Sequence, residues 1–428
     1  MSSSIKTYTI TEYGGFVRNG LPSSGYQILP EHTYDALENL ILANRIESNT
    51  ETSDLLSLSV RRGIGKIITA RNYVGLITMK DGTSIEILPK IYGNNITEVE
   101  TKRIFLEMLK TLKDVPFKDF NISNVKIDRL NLFEIFISMF ITEAAILVKQ
   151  GLKSSYKSVE ANERFFKGKL NVSQNIKHNY VSRDRFFVRY DEWSVNRPEN
   201  KLLKATLYYL HKQTKFDQNK LNISRLLSFF DGVNSSTDYE ADFSKCIIDR
   251  SLSHYEKALS WCKVFLRGKS FTAFSGNESA VALLFPMERI FESYVAAKLR
   301  HHLPFDFEIR TQDKRHNLFE YPKKSFGLRP DIVIEKGEDI VIIDTKWKLL
   351  SENTHNYGIS QSDMYQMYVY NKKYDAKKVI LLYPQQDSIN KSVISFQSES
   401  DKVEISFIDL LQPDISITNL VSNFRTNI

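Results

Sequence analysis

One segment, residues 329–346, constrains the fold of this chain more than any other. It holds two apolar runs, 332–334 and 340–343, separated by a polar stretch that contains a glycine. Runs of this kind predict two short buried strands joined by a turn. Asp331 then begins one strand and Asp344 ends its neighbour, so the sequence predicts that the two carboxylates meet at one end of a sheet.

The residues after the second run extend this predicted site. Because side chains alternate along a strand, Asp344 and Lys346 are expected on one face, with Thr345 pointing away and its backbone carbonyl facing the site. Close carboxylates repel unless a cation lies between them, and hard oxygen ligands favour Mg²⁺, with Mn²⁺ as an alternative. The set predicts phosphodiester hydrolysis, in which Lys346 orients the attacking water or stabilises charge on the phosphate. An inert surface ion network is the other interpretation.

Periodic runs around this segment predict an α/β domain over residues 276–428. Apolar residues at helical spacing predict helices at 287–299 and 362–370. Apolar and β-branched runs predict strands at 307–310, 331–335, 340–346, 379–383 and 393–396. A helix, a β-hairpin and a further helix–strand pair in this order predict a mixed central sheet.

The rest of the chain divides into two predicted regions. Residues 8–92 have a strand-like pattern, and Asp81-Gly82 between two β-rich runs signals a tight hairpin. We therefore predict a β-rich N-terminal unit over residues 1–95. Helical spacing recurs over residues 96–112, 132–148 and 200–274. This predicts a mainly helical middle region over residues 96–275, and a multidomain α+β or α/β protein as a whole.

Composition narrows the class of protein. The chain has 428 residues, 42% of them hydrophobic, and two cysteines, Cys246 and Cys262, which are too few for a disulfide framework. We therefore expect a globular protein of a reducing cytoplasm. The N-terminal sequence lacks the apolar core of a signal peptide. The longest apolar stretch, 132–148, carries Glu134 and Glu143 and is too short for a membrane span, so a buried helix is expected.

The formal charge of +7 is concentrated in one stretch. Residues 149–189 hold ten Lys and Arg against three Asp and Glu, with aromatic side chains interleaved. This composition suits phosphate contacts beside stacking surfaces, so the stretch is a candidate DNA-binding region. A solvated face whose aromatics point inward is the alternative. The predicted DNA contacts within the stretch are Lys167, Lys169, Arg183 and Arg185.

The pair Pro330-Asp331 and the triplet Asp344-Thr345-Lys346 resemble the signature of the PD-(D/E)XK nuclease superfamily. The resemblance implies a further acidic ligand on the preceding helix, for which Glu292 is the candidate. Gln366 and Tyr370 are similar to the QxxxY element of RecB-like nucleases, which lines the active site and the DNA path. Glu292 could instead lie on a solvated face of its helix. Gln366 and Tyr370 could instead serve only to pack and cap a helix. The implied catalytic residues are Asp331, Asp344, Lys346, Glu292 and Gln366.

The chain as a whole is similar to the McrC subunits of McrBC-type modification-dependent restriction systems. The similar patches are Val74-Gly75 through Ile85-Glu-Ile-Leu-Pro-Lys90, Phe166-Lys-Gly-Lys-Leu170, Asn200-Lys-Leu-Leu-Lys204, Met287-Glu-Arg-Ile-Phe-Glu-Ser-Tyr294 and Asp363-Met-Tyr-Gln366. The resemblance implies a DNA endonuclease subunit in a bacterial or archaeal cytoplasm. It also implies that the N-terminal part binds a ring of McrB, a GTP-hydrolysing AAA+ protein that recognises modified cytosine in double-stranded DNA.

One glycine-rich segment bears on whether the chain binds nucleotides itself. Gly63-Ile-Gly-Lys66 resembles a phosphate-binding loop, but Val60 replaces its first glycine and Ile67 replaces the Ser or Thr that binds Mg²⁺. We therefore expect no nucleotide bound by this chain, and any GTP dependence has to come from a partner. Two other functions stay open: a non-catalytic adaptor of a nucleotide-hydrolysing partner, and an autonomous RecB-like DNA-repair nuclease.

Overall fold

The computed structural model describes residues 6–18, 25–47, 55–79, 81–91, 96–112, 128, 130–181, 184–246, 250–267, 279–387, 389, 393–397 and 402–425. They belong to two compact units. The split unit comprises Lys6–Asn131 and Ser270–Ile428. The inserted unit comprises Leu132–Lys269, which separates the two halves of the split unit in sequence.

The elements are as follows. The first half of the split unit contains β1 (Thr7–Thr11), β2 (Gly15–Val17), β3 (Gln27–Ile28), α1 (Glu31–Glu47), β4 (Leu56–Arg61), β5 (Gly65–Ala70), β6 (Tyr73–Met79), β7 (Ser84–Leu88) and α2 (Glu98–Leu109). The inserted unit contains α3 (Leu132–Gln150), β8 (Ser155–Glu163), β9 (Lys169–Leu170), α4 (Val172–Asn179), β10 (Phe186–Ser194), α5 (Pro198–Gln213), α6 (Asp217–Leu227), α7 (Tyr239–Lys245) and α8 (Glu256–Arg267). The second half of the split unit contains β11 (Ser279–Pro286), α9 (Met287–His302), β12 (Glu308–Thr311), β13 (Asn317–Phe319), β14 (Ser325–Gly327), β15 (Ile332–Lys336), β16 (Asp339–Thr345), α10 (Gln361–Tyr374), β17 (Lys378–Pro384), β18 (Val393–Gln397), β19 (Lys402–Ile408) and α11 (Pro413–Arg425). Among the described residues, no helix combines the length and the apolar character needed to cross a membrane.

Two four-stranded sheets include strands from the first half of the split unit. Their strand orders are β3-β2-β5-β4 and β1-β7-β6-β11. The hairpin predicted at Asp81-Gly82 is confirmed, because β6 and β7 are antiparallel and Gly82 has a φ of 86°. Gly75 in β6 has a φ of 135°, and a Cβ there would lie 1.9 Å from the carbonyl oxygen of Leu283 in β11. Only glycine lets these two strands approach so closely.

The pairing of β6 with β11 explains how the chain divides into compact units. The two strands are antiparallel neighbours although they lie on opposite sides of the inserted unit in sequence. Residues from both ends of the chain therefore share one sheet and one core. The compact units do not coincide with the consecutive segments 1–95, 96–275 and 276–428, and that division into three domains stays a prediction.

The strand-like pattern of residues 8–92 does not predict α1, which lies within this range. Tyr34, Leu37, Leu40 and Ile41 are buried and recur at three- to four-residue spacing, which is typical of the inner face of a helix. The local helical spacing therefore outweighs the β-rich sequence on either side. The N-terminal region is β-rich, as predicted, but a helix of 17 residues forms part of it.

The strands predicted between residues 307 and 396 are confirmed within one six-stranded sheet of order β12-β15-β16-β17-β19-β18. The β15–β16 and β12–β15 pairs are antiparallel, whereas β16, β17 and β19 run parallel, so the sheet is mixed. Strand β19 is not predicted from the sequence. Its apolar run is interrupted by Glu404, which is buried in the sheet and pairs with Lys378 at 2.7 Å.

The inserted unit is mainly helical, but it also contains a sheet that is not predicted from the sequence. The apolar stretch 132–148 is confirmed as a buried helix, α3. Within the basic stretch 149–189, β8, β10 and β9 form an antiparallel sheet that α4 accompanies. Most side chains of β8 and β10 are at least partly exposed, so the strands lack the apolar face by which a half-buried strand is recognised.

Candidate active site

The end of the β15–β16 hairpin brings the two predicted carboxylates together. Ile332 and Ile343 form the last pair of the antiparallel ladder, so Asp331 and Asp344 lie opposite each other one residue further on. Asp344 is only 2% exposed. The apolar residues of both strands bury the hairpin within the sheet. The two carboxylates therefore lie together at the ends of these strands, as the sequence predicts.

Thr345 fixes the position of the Asp331 carboxylate. Oδ2 of Asp331 accepts hydrogen bonds from the Thr345 backbone N–H and from its hydroxyl, each at 2.9 Å. The prediction that the Thr345 side chain points away from the site is therefore wrong. Alternation does bring Asp344 and Lys346 together, but Asp331 precedes β15, and its carboxylate turns along the strand end toward Thr345.

Lys346 connects Asp344 with α10. Its Nζ lies 2.8 Å from Oδ2 of Asp344 and 3.6 Å from Oδ1 of Asp363. The same ammonium is 3.5 Å from Oε1 of Gln366, one helical turn after Asp363. Asp363 is not among the predicted site residues, although its spacing of three residues from Gln366 places both on one face of a helix.

The electrostatics of the acidic pair favour a cation. Burial raises the pKa of Asp344, and the negative charge of Asp331 raises it further, while Lys346 opposes both effects. Burial also raises the pKa of Asp331, against the hydrogen bonds from Thr345. Burial lowers the pKa of Lys346, but its ion pairs with the aspartates outweigh this, and the net change is upward. A positive charge between the two carboxylates would offset their mutual repulsion when both are ionised.

Glu292 joins the site through Gln312. The Gln312 side-chain amide donates to Oε1 of Glu292 at 2.6 Å and to Oδ1 of Asp331 at 3.1 Å. Burial raises the pKa of Glu292, and the charge of Asp331 raises it further. Gln312 follows β12 with a φ of 53°. No pattern in the sequence marks this glutamine, because its role depends on the pairing of β12 with β15.

Gln366 and Tyr370 lie on one face of α10, four residues apart. The Gln366 amide donates to the Tyr370 hydroxyl at 2.7 Å, while its carbonyl faces Lys346. Tyr370 is 3% exposed and packs in the core of the sheet. Its ring is therefore unavailable as the direct DNA contact that the resemblance implies, and it instead holds the side chain of Gln366 in position.

A cavity of about 360 Å³ opens at this end of the sheet, and its lining residues are Glu288, Glu292, Asp331, Thr345, Lys346, Trp347, Lys348 and Asp363. Within the described part of the chain, no three His, Cys, Asp or Glu side chains form a preassembled metal site. Mg²⁺ often keeps several waters and needs only one or two carboxylates. The acidic pair Asp331 and Asp344 fits this requirement, and Glu292 lies beside it.

Trp347 connects the site to the first half of the split unit. Its indole N–H donates to Oε1 of Glu12 at 2.7 Å, and the Lys90 backbone N–H donates to the same oxygen at 2.8 Å. Glu12 is 1% exposed, and burial raises its pKa to about 7. The Trp347 ring also packs edge-on against Phe291, the neighbour of Glu292, with ring centroids 5.3 Å apart.

The predicted DNA contacts of the basic stretch lie in the inserted unit. Lys167 is exposed, but its Nζ lies 3.2 Å from the carboxylate of Glu163. Lys169 in β9 and Arg185 before β10 are exposed. Arg183 lies outside the described residues. Their predicted contact with DNA stays a prediction.

The mixed sheet, with an acidic pair and a lysine at one end of its central hairpin, defines a protein with an α/β nuclease-like fold. Comparison with family models matches residues 68–384 to the family described as McrBC 5-methylcytosine restriction system component. Because the match spans most of the chain, the protein belongs to this family, which confirms the resemblance seen in the sequence. Comparison with curated protein sequences gives no significant match.

Two solved structures from Thermococcus gammatolerans share the fold. A chain of the half-complex from a tetradecameric assembly of McrB AAA+ hexamers with bound McrC superposes with a TM-score of 0.72 at 19% identity, covering 98% of this chain and 100% of that chain. A chain of the McrBC complex solved by cryo-electron microscopy gives a TM-score of 0.51 at 20% identity, covering 70% of this chain and 88% of that one.

Proposed function

We propose that this chain is the DNA endonuclease subunit of a McrBC-like restriction system and hydrolyses phosphodiester bonds with the help of Mg²⁺. The observation that supports the proposal most strongly is the meeting of Asp331, Asp344 and Lys346 at the end of one buried hairpin, beside an open cavity. Burying two carboxylates together is costly, so the arrangement is favourable when a cation and an anionic substrate use it.

Each residue of the site has a distinct role in this proposal. Asp331 and Asp344 hold the cation, with the Thr345 carbonyl and Glu292 as further ligands. When bound, Mg²⁺ neutralises the acidic pair and polarises a phosphoryl oxygen. Lys346 holds the attacking water and supplies positive charge where negative charge develops on the phosphate.

The surrounding hydrogen bonds keep these groups in place. Gln312 bridges Glu292 and Asp331, and so couples α9 to the hairpin. Gln366, itself held by Tyr370, lies beside the Lys346 ammonium. A lysine confined by such contacts loses less conformational freedom when it meets the substrate, which favours the reaction.

The proposed partner is a McrB-type AAA+ ring that hydrolyses GTP and recognises modified cytosine in double-stranded DNA. Membership of the McrBC family supports this partner, as does the similarity to chains from assemblies that contain McrB AAA+ hexamers. Nucleotide hydrolysis then belongs to the ring. In this chain Gly63 and Gly65 lie at the tight turn between β4 and β5, where both have positive φ. The proposed location of the complex is the cytoplasm.

The test compares Asp344→Asn and Lys346→Met with the matched control Asp339→Asn. Asp339 begins the same strand, β16, at its opposite end and pairs with exposed Lys377. Cleavage of methylated duplex DNA is measured with Mg²⁺, GTP and the ring protein. Both site variants should cleave about a thousandfold more slowly, because the cation site or the charge at the phosphate is lost, whereas the control should match the wild type.

The same assay separates the other functions. Undiminished cleavage by the Asp344 and Lys346 variants would exclude this site as catalytic. A wild-type chain that stimulates GTP hydrolysis by the ring without cutting DNA would be an adaptor. Cleavage by the purified chain alone, at the rate of the complex, would identify an autonomous nuclease.

A further inference from the structure

A second, larger cleft of the split unit lies beside the candidate active site. It has a volume of about 800 Å³, and its lining residues are Thr111, Pro286, Glu288, Arg289, Glu292, Ser293, Ala296, Arg300, Thr311, Gln312 and Arg329. Glu288 and Glu292 line both this cleft and the smaller cavity that contains Asp331 and Lys346. The cleft therefore opens next to the predicted point of cleavage.

Three arginines contribute positive charge to the cleft. Arg289, Arg300 and Arg329 are all exposed, so their guanidinium groups can reach a ligand. The two acidic residues of the lining, Glu288 and Glu292, lie on the side shared with the cavity of the active site. The other lining residues are uncharged, so three arginines against two glutamates leave the cleft with a formal excess of one positive charge.

The spacing of these charges fits a long ligand. Arg289, Ser293, Ala296 and Arg300 follow one another at intervals of four, three and four residues, which places them on one face of α9. At about 1.5 Å per residue, the two arginines are roughly 16 Å apart along the helix axis. The small side chains between them leave room for a polymer backbone. In duplex DNA this length corresponds to about five phosphates of one strand.

Arg329 extends the charged surface to the hairpin itself. It lies two residues before Asp331 in the sequence, and it lines the cleft together with Glu292 and Gln312. The charges of Arg329 and Arg289 both act to lower the pKa of Glu292, against the effect of burial, so both guanidinium groups lie near that carboxylate. Arg300 is held at the far end by a hydrogen bond to the Thr311 hydroxyl at 3.3 Å.

We propose that this cleft, through Arg289, Arg300 and Arg329, binds the phosphate backbone of a DNA strand and guides it into the site of Asp331 and Asp344. This rests on the proposed nuclease function and specifies where its substrate lies. Guanidinium groups bind phosphate oxygens with paired hydrogen bonds, and a row of them tracks a backbone without reading its bases. The cleft thus supplies binding that does not depend on sequence.

The experiment measures binding of the purified full-length chain to a fluorescein-labelled duplex by anisotropy between 50 and 300 mM KCl. EDTA keeps the DNA intact, so the result does not depend on catalysis. Replacing all three arginines by alanine should weaken binding by roughly tenfold per residue and reduce the slope of log K against log salt by about 0.9 per residue.

Replacement of the three arginines by lysine should retain most of the slope, since the charges remain. Arg62→Ala, an exposed arginine in the β4–β5 turn of the same unit, is the matched control and should leave the slope unchanged.

Several results would overturn the proposal. They are a wild-type slope in the triple alanine variant, no salt-dependent binding by the wild-type chain, or a slope that disappears entirely with Lys167→Ala and Lys169→Ala. Thermal unfolding of each variant shows whether it is folded, and the lysine variant provides a second comparison if the alanine variant is not. Because cleavage is measured separately, loss of cleavage in Asp344→Asn with an unchanged slope supports the nuclease proposal alone.

Discussion

The buried carboxyl of Glu12 allows a quantitative test of the structure. One of its oxygens accepts the hydrogen bonds from Trp347 and Lys90, and the other is buried without a hydrogen-bond partner among the described residues. Replacing Glu12 by glutamine keeps a side-chain carbonyl that can accept both hydrogen bonds. It removes only the ability of the group to ionise.

The size of the effect follows from the pKa of Glu12. Burial raises this pKa from 4.5 to about 7, so the unfolded chain releases the proton at a lower pH than the folded chain. The contribution of Glu12 to stability is therefore largest below pH 4.5 and is lost as the pH rises through about 7. Since one pKa unit corresponds to about 1.4 kcal/mol, the wild type loses about 2.5 kcal/mol between pH 5 and pH 8 from this group alone. The Glu12→Gln variant loses none of it.

The measurement is hydrogen exchange of peptides from β6 and β7, corrected for intrinsic exchange rates, at pH 5 and pH 8. The difference in opening free energy between variant and wild type should shift by about 2.5 kcal/mol in favour of the variant. Any constant cost of the new buried amide cancels in this comparison. Glu338→Gln, in the exposed turn between β15 and β16, is the control for loss of one charge. The same difference at both pH values would refute the reasoning.

Two further predictions concern the sheet and the site. Gly75→Ala should prevent stable folding of the split unit, with a loss above about 4 kcal/mol, because its Cβ would lie 1.9 Å from the Leu283 carbonyl oxygen. Soluble yield and circular dichroism check this, and a stable variant with normal DNA cleavage would contradict it. Tyr370→Phe removes the hydroxyl that accepts the hydrogen bond from Gln366, and should slow cleavage about tenfold while retaining the wild-type assembly with the ring protein. Unchanged cleavage kinetics would show that this contact is not needed.

The parts of the fold that were predicted correctly depend on neighbours in sequence. The β15–β16 hairpin, α9 and α10 each show their periodicity within a short window, so Asp331 and Asp344 were placed together from the sequence. The resemblance to the PD-(D/E)XK superfamily added Glu292, and the resemblance to RecB-like nucleases added Gln366; the structure places both residues at this site. Local sequence patterns were therefore sufficient to predict site residues that lie at a strand end or on one face of a helix.

The missed features depend on contacts between residues distant in sequence. Gln312 reaches Glu292 and Asp331 only because β12 pairs with β15, and nothing in the local sequence of Gln312 indicates this. The Thr345 hydroxyl was misplaced because alternation along β16 does not indicate where Asp331, which precedes β15, directs its carboxylate. The pairing of β6 with β11 was not predicted, because the two strands are too far apart in sequence to fall within one short stretch.

The pairing of β6 with β11 also sets the order in which the chain can fold during synthesis. Met79 pairs with Ser279, 200 residues later. At roughly 5–20 residues per second, the ribosome needs about 10–40 seconds to synthesise the segment between them. The hydrogen-bonding edge of β6 stays open for that time, while the inserted unit has already left the ribosome and can fold first. A strand edge exposed for so long is a site for aggregation, so we expect the yield of this protein to depend on chaperones and on the rate of translation.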